Sequence, residues 1–173
     1  MHIRPANVDD LTNIAQLHAK SWQENYSSVL SGDYLAHRVL EERTQIWTER
    51  LTTPCDNQLV LVAQLDGVFS GFICVFGDKH PQLGSIIDNL HVTSEAKGKG
   101  IGTQLIISAA KWAQTYYKDC GLYLEVLECN PKAIGFYEAL GGQKHSQGYW
   151  HTPCGNKVKE FIYVWQSPLA LIK

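Results

Sequence analysis

The sequence predicts an α/β fold, a mixed sheet with helices on both faces, in the order β-α-α-β-β-β-α-β-α-β-β. Three observations carry this. Two β-rich runs, Leu59 to Leu65 and Val68 to Phe76, are separated by Asp66-Gly67, a strong two-residue hairpin signal. The apolar run Ile86 to Val92 passes through a glycine-rich loop into a helix-like stretch, Gln104 to Tyr117, and then into a further strand, Leu122 to Leu127, which is the layout of a parallel crossover. With 173 residues, 45% of them hydrophobic, and no linker or internal repeat, residues 1–173 read as one domain large enough for a full core.

Each element has a local cause. His2 to Arg4 makes a short strand, and Asn7 is placed to cap a helix whose positions Leu11, Ile14, Leu17, His18 and Ser21 follow helical spacing, with Asp9 and Asp10 in its first turn. After a break at Ser27 to Gly32, a second helix from about Asp33 to Leu51 sets Leu35, Val39, Ile46 and Trp47 mostly on one side, and Thr52-Thr53-Pro54 ends it. Gly77 to Gly84 reads as a loop. Asn130 opens a helix over Pro131 to Leu140, which Gly141-Gly142 stops, and the last strands, Lys144 to Trp150 and Lys157 to Trp165, flank a Thr152 to Asn156 turn.

Composition narrows the function. A formal charge of −2 without blocks of like charge favours neither nucleic acid nor an anionic membrane as partner. The N-terminus lacks the basic-then-apolar layout of a signal peptide, and no apolar run approaches the roughly 18 residues of a membrane span, so a cytoplasmic protein is expected. The five cysteines are odd in number and scattered, which suits reduced thiols. His145, His151 and Cys154 cluster without zinc-site spacing, and no metal is expected.

The chemistry concentrates in Lys97-Gly98-Lys99-Gly100-Ile101-Gly102-Thr103. Its glycines let the backbone approach a ligand, and the helix start behind them offers unpaired N–H groups to an anion such as a pyrophosphate. Neither the dinucleotide fingerprint nor the Walker loop fits, since Thr103 and Leu105 stand where the first needs glycine and Thr93 where the second does.

Two motifs resemble the GNAT superfamily, the GCN5-related N-acyltransferases that use acetyl-CoA. Leu90 to Gly102 is similar to its strand followed by (Arg or Gln)-x-x-Gly-x-(Gly or Ala), with Lys97 in place of Arg or Gln. Asn130-Pro-Lys-Ala-Ile-Gly-Phe-Tyr-Glu-Ala-Leu-Gly141 resembles its Asn-x-x-Ala-x-x-Phe-Tyr-x-x-x-Gly helix, with Gly142 where an aromatic commonly follows. The resemblance implies a mostly antiparallel twisted sheet that splays between the strands at Ile86 to Val92 and Leu122 to Leu127. It implies acetyl-CoA as co-substrate, its pyrophosphate on the backbone of Lys97, Gly98, Lys99, Gly100, Ile101, Gly102 and Thr103, and its pantetheine arm along Leu90, His91 and Val92 like an added strand. An N–H at Leu90 or His91 is the implied oxyanion donor, Tyr137 the implied acid for the departing thiolate, and Asn130 both a cap and a contact to the arm.

The base is less marked. The family's glutamate position matches Ile86; Asp88, two residues on with the same parity, is the leading substitute, with Glu125 next and a water-mediated route beside them. The acceptor, a primary amine of a small molecule or of a peptide or protein, would meet Trp22, Glu24 and Tyr26 on one side and Tyr149 with Trp150 on the other. The expected activity is acetyl transfer from the thioester by direct attack. A catalytically silent acyl-CoA sensor or interaction module of the same fold is the alternative, and a homodimer is left open.

Overall fold

Asp66 and Gly67 both take positive φ, 53° and 80°, the backbone of a tight hairpin turn, and join β2 (Gln58–Leu65) to β3 (Val68–His80). The computed structural model describes residues 1–118 and 120–172. Among these, β1 (His2–Pro5), β2, β3, β4 (Gly84–Val92), β5 (Leu122–Leu127), β7 (Lys157–Trp165) and β6 (Gln143–His151) form one sheet in that spatial order. The β4–β5 pair is parallel and every other pair antiparallel, so the sheet is mixed and mostly antiparallel, as expected.

Strand alternation divides the core between the two faces. Leu61 and Ala63 of β2 with Ile73 and Val75 of β3 face α4 (Ile101–Tyr116), which buries Ile101, Leu105, Ile106, Ala109 and Ala113 against them; α5 (Pro131–Ala139) covers the same face near β5 and β7. Their neighbours Val60, Val62, Phe72 and Cys74 point the other way, onto Ile14, Ala15 and Leu17 of α1 (Leu11–Asn25) and onto Trp47.

Trp47 belongs to α3 (Val39–Thr52), and here the expected single helix is two. α2 (Gly32–His37) and α3 meet at Arg38, whose φ of −118° departs from helical values. The break leaves the residue spacing intact, which is why Leu35 and Val39 read as one stripe; Tyr34 Oη donates to Glu42 Oε2 across it at 2.7 Å. Asn7 caps a 3-10 turn, Val8–Asp10, instead of α1 itself: Asn7 Oδ1 accepts from Asp9 N and Asp10 Oδ2 from Asn7 N, both at 2.9 Å. Arg4 then holds Asp10 by two 2.8 Å bonds, which keeps that carboxyl below its usual range. The expected loop at Gly77 to Gly84 is largely strand, because β3 runs on to pair His80 with Gly84 past an irregularity at Asp78, where φ is 45°. No helix among the described residues is long and apolar enough to cross a membrane.

Candidate functional site

The sheet is not closed where β4 leaves β5. The two strands pair over Ser85, Ile86 and Ile87 against Leu122, Tyr123 and Leu124, and no further. Immediately beyond, Cys74 of β3 sits opposite Asn89 and Val75 opposite Ile87, so Asp88 is an extra residue, a β-bulge that bends β4 away. The bulge turns two consecutive side chains toward α3: Arg50 Nη1 donates to Asp88 Oδ2 at 2.7 Å and to Asn89 Oδ1 at 2.9 Å. The guanidinium lies 5.1 Å from the Trp47 ring and 5.2 Å from that of Phe76.

The gap opens as a cleft of about 230 Å³ between the far ends of β4 and β5, with Tyr26, Asn130 and Tyr137 over it. Past the bulge, His91 O faces β3, 2.7 Å from where a Cβ on Gly71 would stand, and Thr93 N donates to Ser70 O at 2.9 Å. Alternation along the strand then turns the N–H and C=O of Leu90 and Val92 toward the gap and those of His91 away from it. This separates the two amides between which the sequence does not choose. A second hollow is lined by Leu90, Val92, the glycine loop, Phe136 and Tyr137. Leu90 and Tyr137 are walls of both.

The loop's glycines divide their tasks. Gly98 and Gly100 have φ of 77° and 78°, and a Cβ on either would meet nothing within 4 Å, so they are required by the turn and leave open space before it. The first helical bond of α4 runs from Gln104 N to Gly100 O, which leaves the N–H groups of Ile101, Gly102 and Thr103 without helical acceptors. Gly102 instead admits Phe136, whose Cζ would lie 3.2 Å from a Cβ there, and so brings α5 against the start of α4. The side chains of Lys97 and Lys99 are exposed; Lys97 Nζ lies 4.0 Å from Glu24 Oε2.

Burial and the neighbouring Tyr26 push the Tyr137 phenol well above its usual range, so it remains a proton donor at neutral pH. Burial raises Tyr26 too, against hydrogen bonding from the Asn130 side chain. Asn130 Oδ1 accepts from Ala133 N at 3.2 Å, the expected cap. On the other wall, Glu125 is raised by burial and by Asp88, and Glu160 by burial and by Glu125.

His91 stacks on His18 with centroids 4.7 Å apart. Burial, then Lys97 and Arg43, lower His91 to about 4. His18 is lowered in the same sense, chiefly by burial. Trp47 Nε1 donates to His18 Nδ1 at 3.0 Å, which assigns the imidazole proton to Nε2, a buried atom with no hydrogen-bond partner among the described residues.

Two acceptor-side expectations change. Tyr149 is 51% exposed and lies under Lys157 Nζ, 4.2 Å from its ring centroid, while its neighbour Trp150 faces the cleft; adjacent strand residues point to opposite faces. Glu24 lies off the cleft, on the surface beside Lys20 at 3.9 Å and Lys97 at 4.0 Å. Trp22 and Tyr26 do line the cleft, together with Trp150. Glu160 and Arg50 were not legible, since the first depends on the β5–β7 register and the second on a bulge. Among the described residues no group of three or more His, Cys, Asp or Glu is placed to hold a metal.

Residues 14–142 match the model of the acetyltransferase (GNAT) family. This chain belongs to the GNAT family. By that membership it is an N-acetyltransferase. The GNAT chain is 25% identical over 172 residues, 98% of its own length and 95% of the relative's, to an uncharacterized N-acetyltransferase, YuaI, of Bacillus subtilis (strain 168). Its fold superposes with a TM-score of 0.73 on a GCN5-related N-acetyltransferase structure from Rhodopseudomonas palustris, at 20% identity, covering 95% and 94% of the two chains. It superposes at 0.68 on the PaiA N-acetyltransferase of Thermoplasma acidophilum in complex with coenzyme A, at 20% identity, covering 92% and 96%.

Proposed function

We propose that the protein acetylates a primary amine with acetyl-CoA, residues 1–173 acting as one cytoplasmic domain and Leu90, Tyr137 and a carboxylate of the cleft carrying the chemistry. The observation that carries the reading is the sharing of Leu90 and Tyr137 by two adjoining hollows, one suited to a phosphate and one to an amine. The coenzyme A bound by the PaiA neighbour of like fold supports the choice of donor.

The donor fits these residues. Gly98 and Gly100 open space in front of the free N–H groups of Ile101, Gly102 and Thr103, and such a nest balances a pyrophosphate without buried cations. Leu90 and Val92 present backbone groups to an extended, amide-bearing arm. Acetyl-CoA supplies an acetyl group activated as a thioester.

An alkyl amine must lose a proton before it attacks, at a cost of about 4 to 5 kcal/mol at neutral pH. Glu125 is the better-placed acceptor of that proton, directly or through water, because Arg50 already holds Asp88. As the amine nitrogen bonds to the acetyl carbon, Leu90 N–H stabilises the charge gathering on the carbonyl oxygen. Tyr137 gives its proton to sulfur as the carbon–sulfur bond breaks, so CoA leaves as the thiol. The Tyr137 phenol and the uncompensated Glu125 favour an enzyme over a silent acyl-CoA sensor.

Calorimetric titration with acetyl-CoA tests the donor, with Gly100→Asp as the control that places bulk and negative charge in the cradle. Saturable binding lost in the variant, followed by CoA release with a panel of amines, is the expected result. A folded wild type that binds no acetyl-CoA would overturn the proposal.

A further inference from the structure

The charge in the cleft exceeds what a single reacting amine needs. Three carboxylates line it, Asp88, Glu125 and Glu160. Arg50 neutralises the first at 2.7 Å. The other two have no hydrogen-bond or ion-pair partner among the described residues, and the nearby lysines are engaged elsewhere: Lys159 with Glu128 at 3.0 Å, Lys157 over the Tyr149 ring. Glu125 pairs with Ile162 and Glu160 with Leu127, so the two glutamates are diagonal neighbours on one face of the β5–β7 pair, about 7 Å apart. Burial and Glu125 both raise Glu160, so its charge is costly in the cleft until a counter-charge arrives.

A monoamine does not answer this. Its nitrogen attacks as the free base once Glu125 has taken its proton, so Glu125 is neutralised while Glu160 keeps its charge with no counter-ion. A second ammonium elsewhere on the acceptor keeps its charge throughout. The cleft itself, about 230 Å³, lies below the usual range of ligand cavities and has room for a short alkyl chain. On one side of its otherwise polar wall Trp22 and Trp150 meet edge to face at 5.3 Å and give such a chain an aromatic surface.

Resting on the reading of this cleft as the acceptor site, we infer that the acceptor is a short alkyl diamine whose second ammonium is held by Glu160, with Glu125 facing the reacting nitrogen.

Putrescine and n-butylamine have the same carbon chain and differ by that second ammonium. With acetyl-CoA saturating, kcat/KM for putrescine should exceed that for butylamine about tenfold or more, the scale of one charged hydrogen bond. Glu160→Gln should bring the ratio close to one and Glu160→Asp restore part of it, with unchanged melting midpoints showing that both variants fold. The advantage should shrink as salt rises. Equal kcat/KM for the two amines, or a ratio indifferent to Glu160→Gln, overturns the inference while leaving the acetyltransferase in place. If acetyl-CoA binds but neither amine reacts, the inference falls alone; if acetyl-CoA does not bind, the proposed function falls first.

Discussion

Acidification should destabilise this protein through two imidazoles that the fold keeps neutral. His91 has a folded-state value of about 4 against an ordinary 6.5, and His18 is depressed in the same direction. Between those values the unfolded chain binds protons that the native chain refuses, so stability is full above about pH 6.5 and is lost as pH falls toward about 4. For His91 the whole gap is worth roughly 3 kcal/mol, of which about 2 kcal/mol is gone by about pH 5. His18 adds a specific obstacle, because a proton on Nδ1 would meet the N–H of Trp47 that now donates to it. Urea unfolding at about pH 7.5 and about pH 5 measures the effect, with Trp fluorescence as the signal. The His91→Phe variant should lose about 2 kcal/mol less than wild type over that interval. Parallel losses in the two proteins would refute the reasoning, since His91 would then titrate freely in the native state.

Tyr137→Phe should lower kcat about a hundredfold while acetyl-CoA affinity measured by calorimetry stays the same. The acidic limb of the pH–rate profile identifies the base: Glu125→Gln should abolish it. Asp88→Asn should move it to lower pH, because Asp88 is one of the two causes that raise Glu125. A limb abolished by Asp88→Asn and untouched by Glu125→Gln would give the role to Asp88. Gly142→Ala should lower the melting midpoint by the equivalent of about 1 to 3 kcal/mol of overpacking. The added Cβ would sit 2.8 Å from Trp165 Cζ2 and 2.9 Å from Tyr137 O, and a midpoint at the wild-type value would show that α5 yields there freely.

Much of this architecture is local enough to read from sequence. Asp66-Gly67 specifies a turn that few other dipeptides form, and the two-sided burial of β2 and β3 makes them unbroken apolar runs. The glycine loop was legible because positive φ at Gly98 and Gly100 leaves a compositional trace. What was not legible depends on partners distant in the chain. The extra residue at Asp88 follows Ile86 and Ile87, which are buried on opposite faces, so no alternation marks where the phase slips. Tyr149 and Trp150 lie on the sheet's last strand, where most positions are exposed on both sides and neither face is labelled by its pattern. Glu160 acquires meaning when β7 pairs with β5 and sets it diagonally to Glu125.

The seam between β4 and β5 rests on three residue pairs, so four strands on one side and three on the other are joined by a short stitch. An extended donor lying in the gap would extend that stitch, lacing the two plates along the lips that β4 and β5 leave bare. The free energy of holding the donor then adds to the cohesion of the sheet, by an amount that grows with the logarithm of donor concentration. A cell's supply of acetyl-CoA would in this way govern how long the enzyme resists unfolding and proteolysis, as well as how fast it turns over.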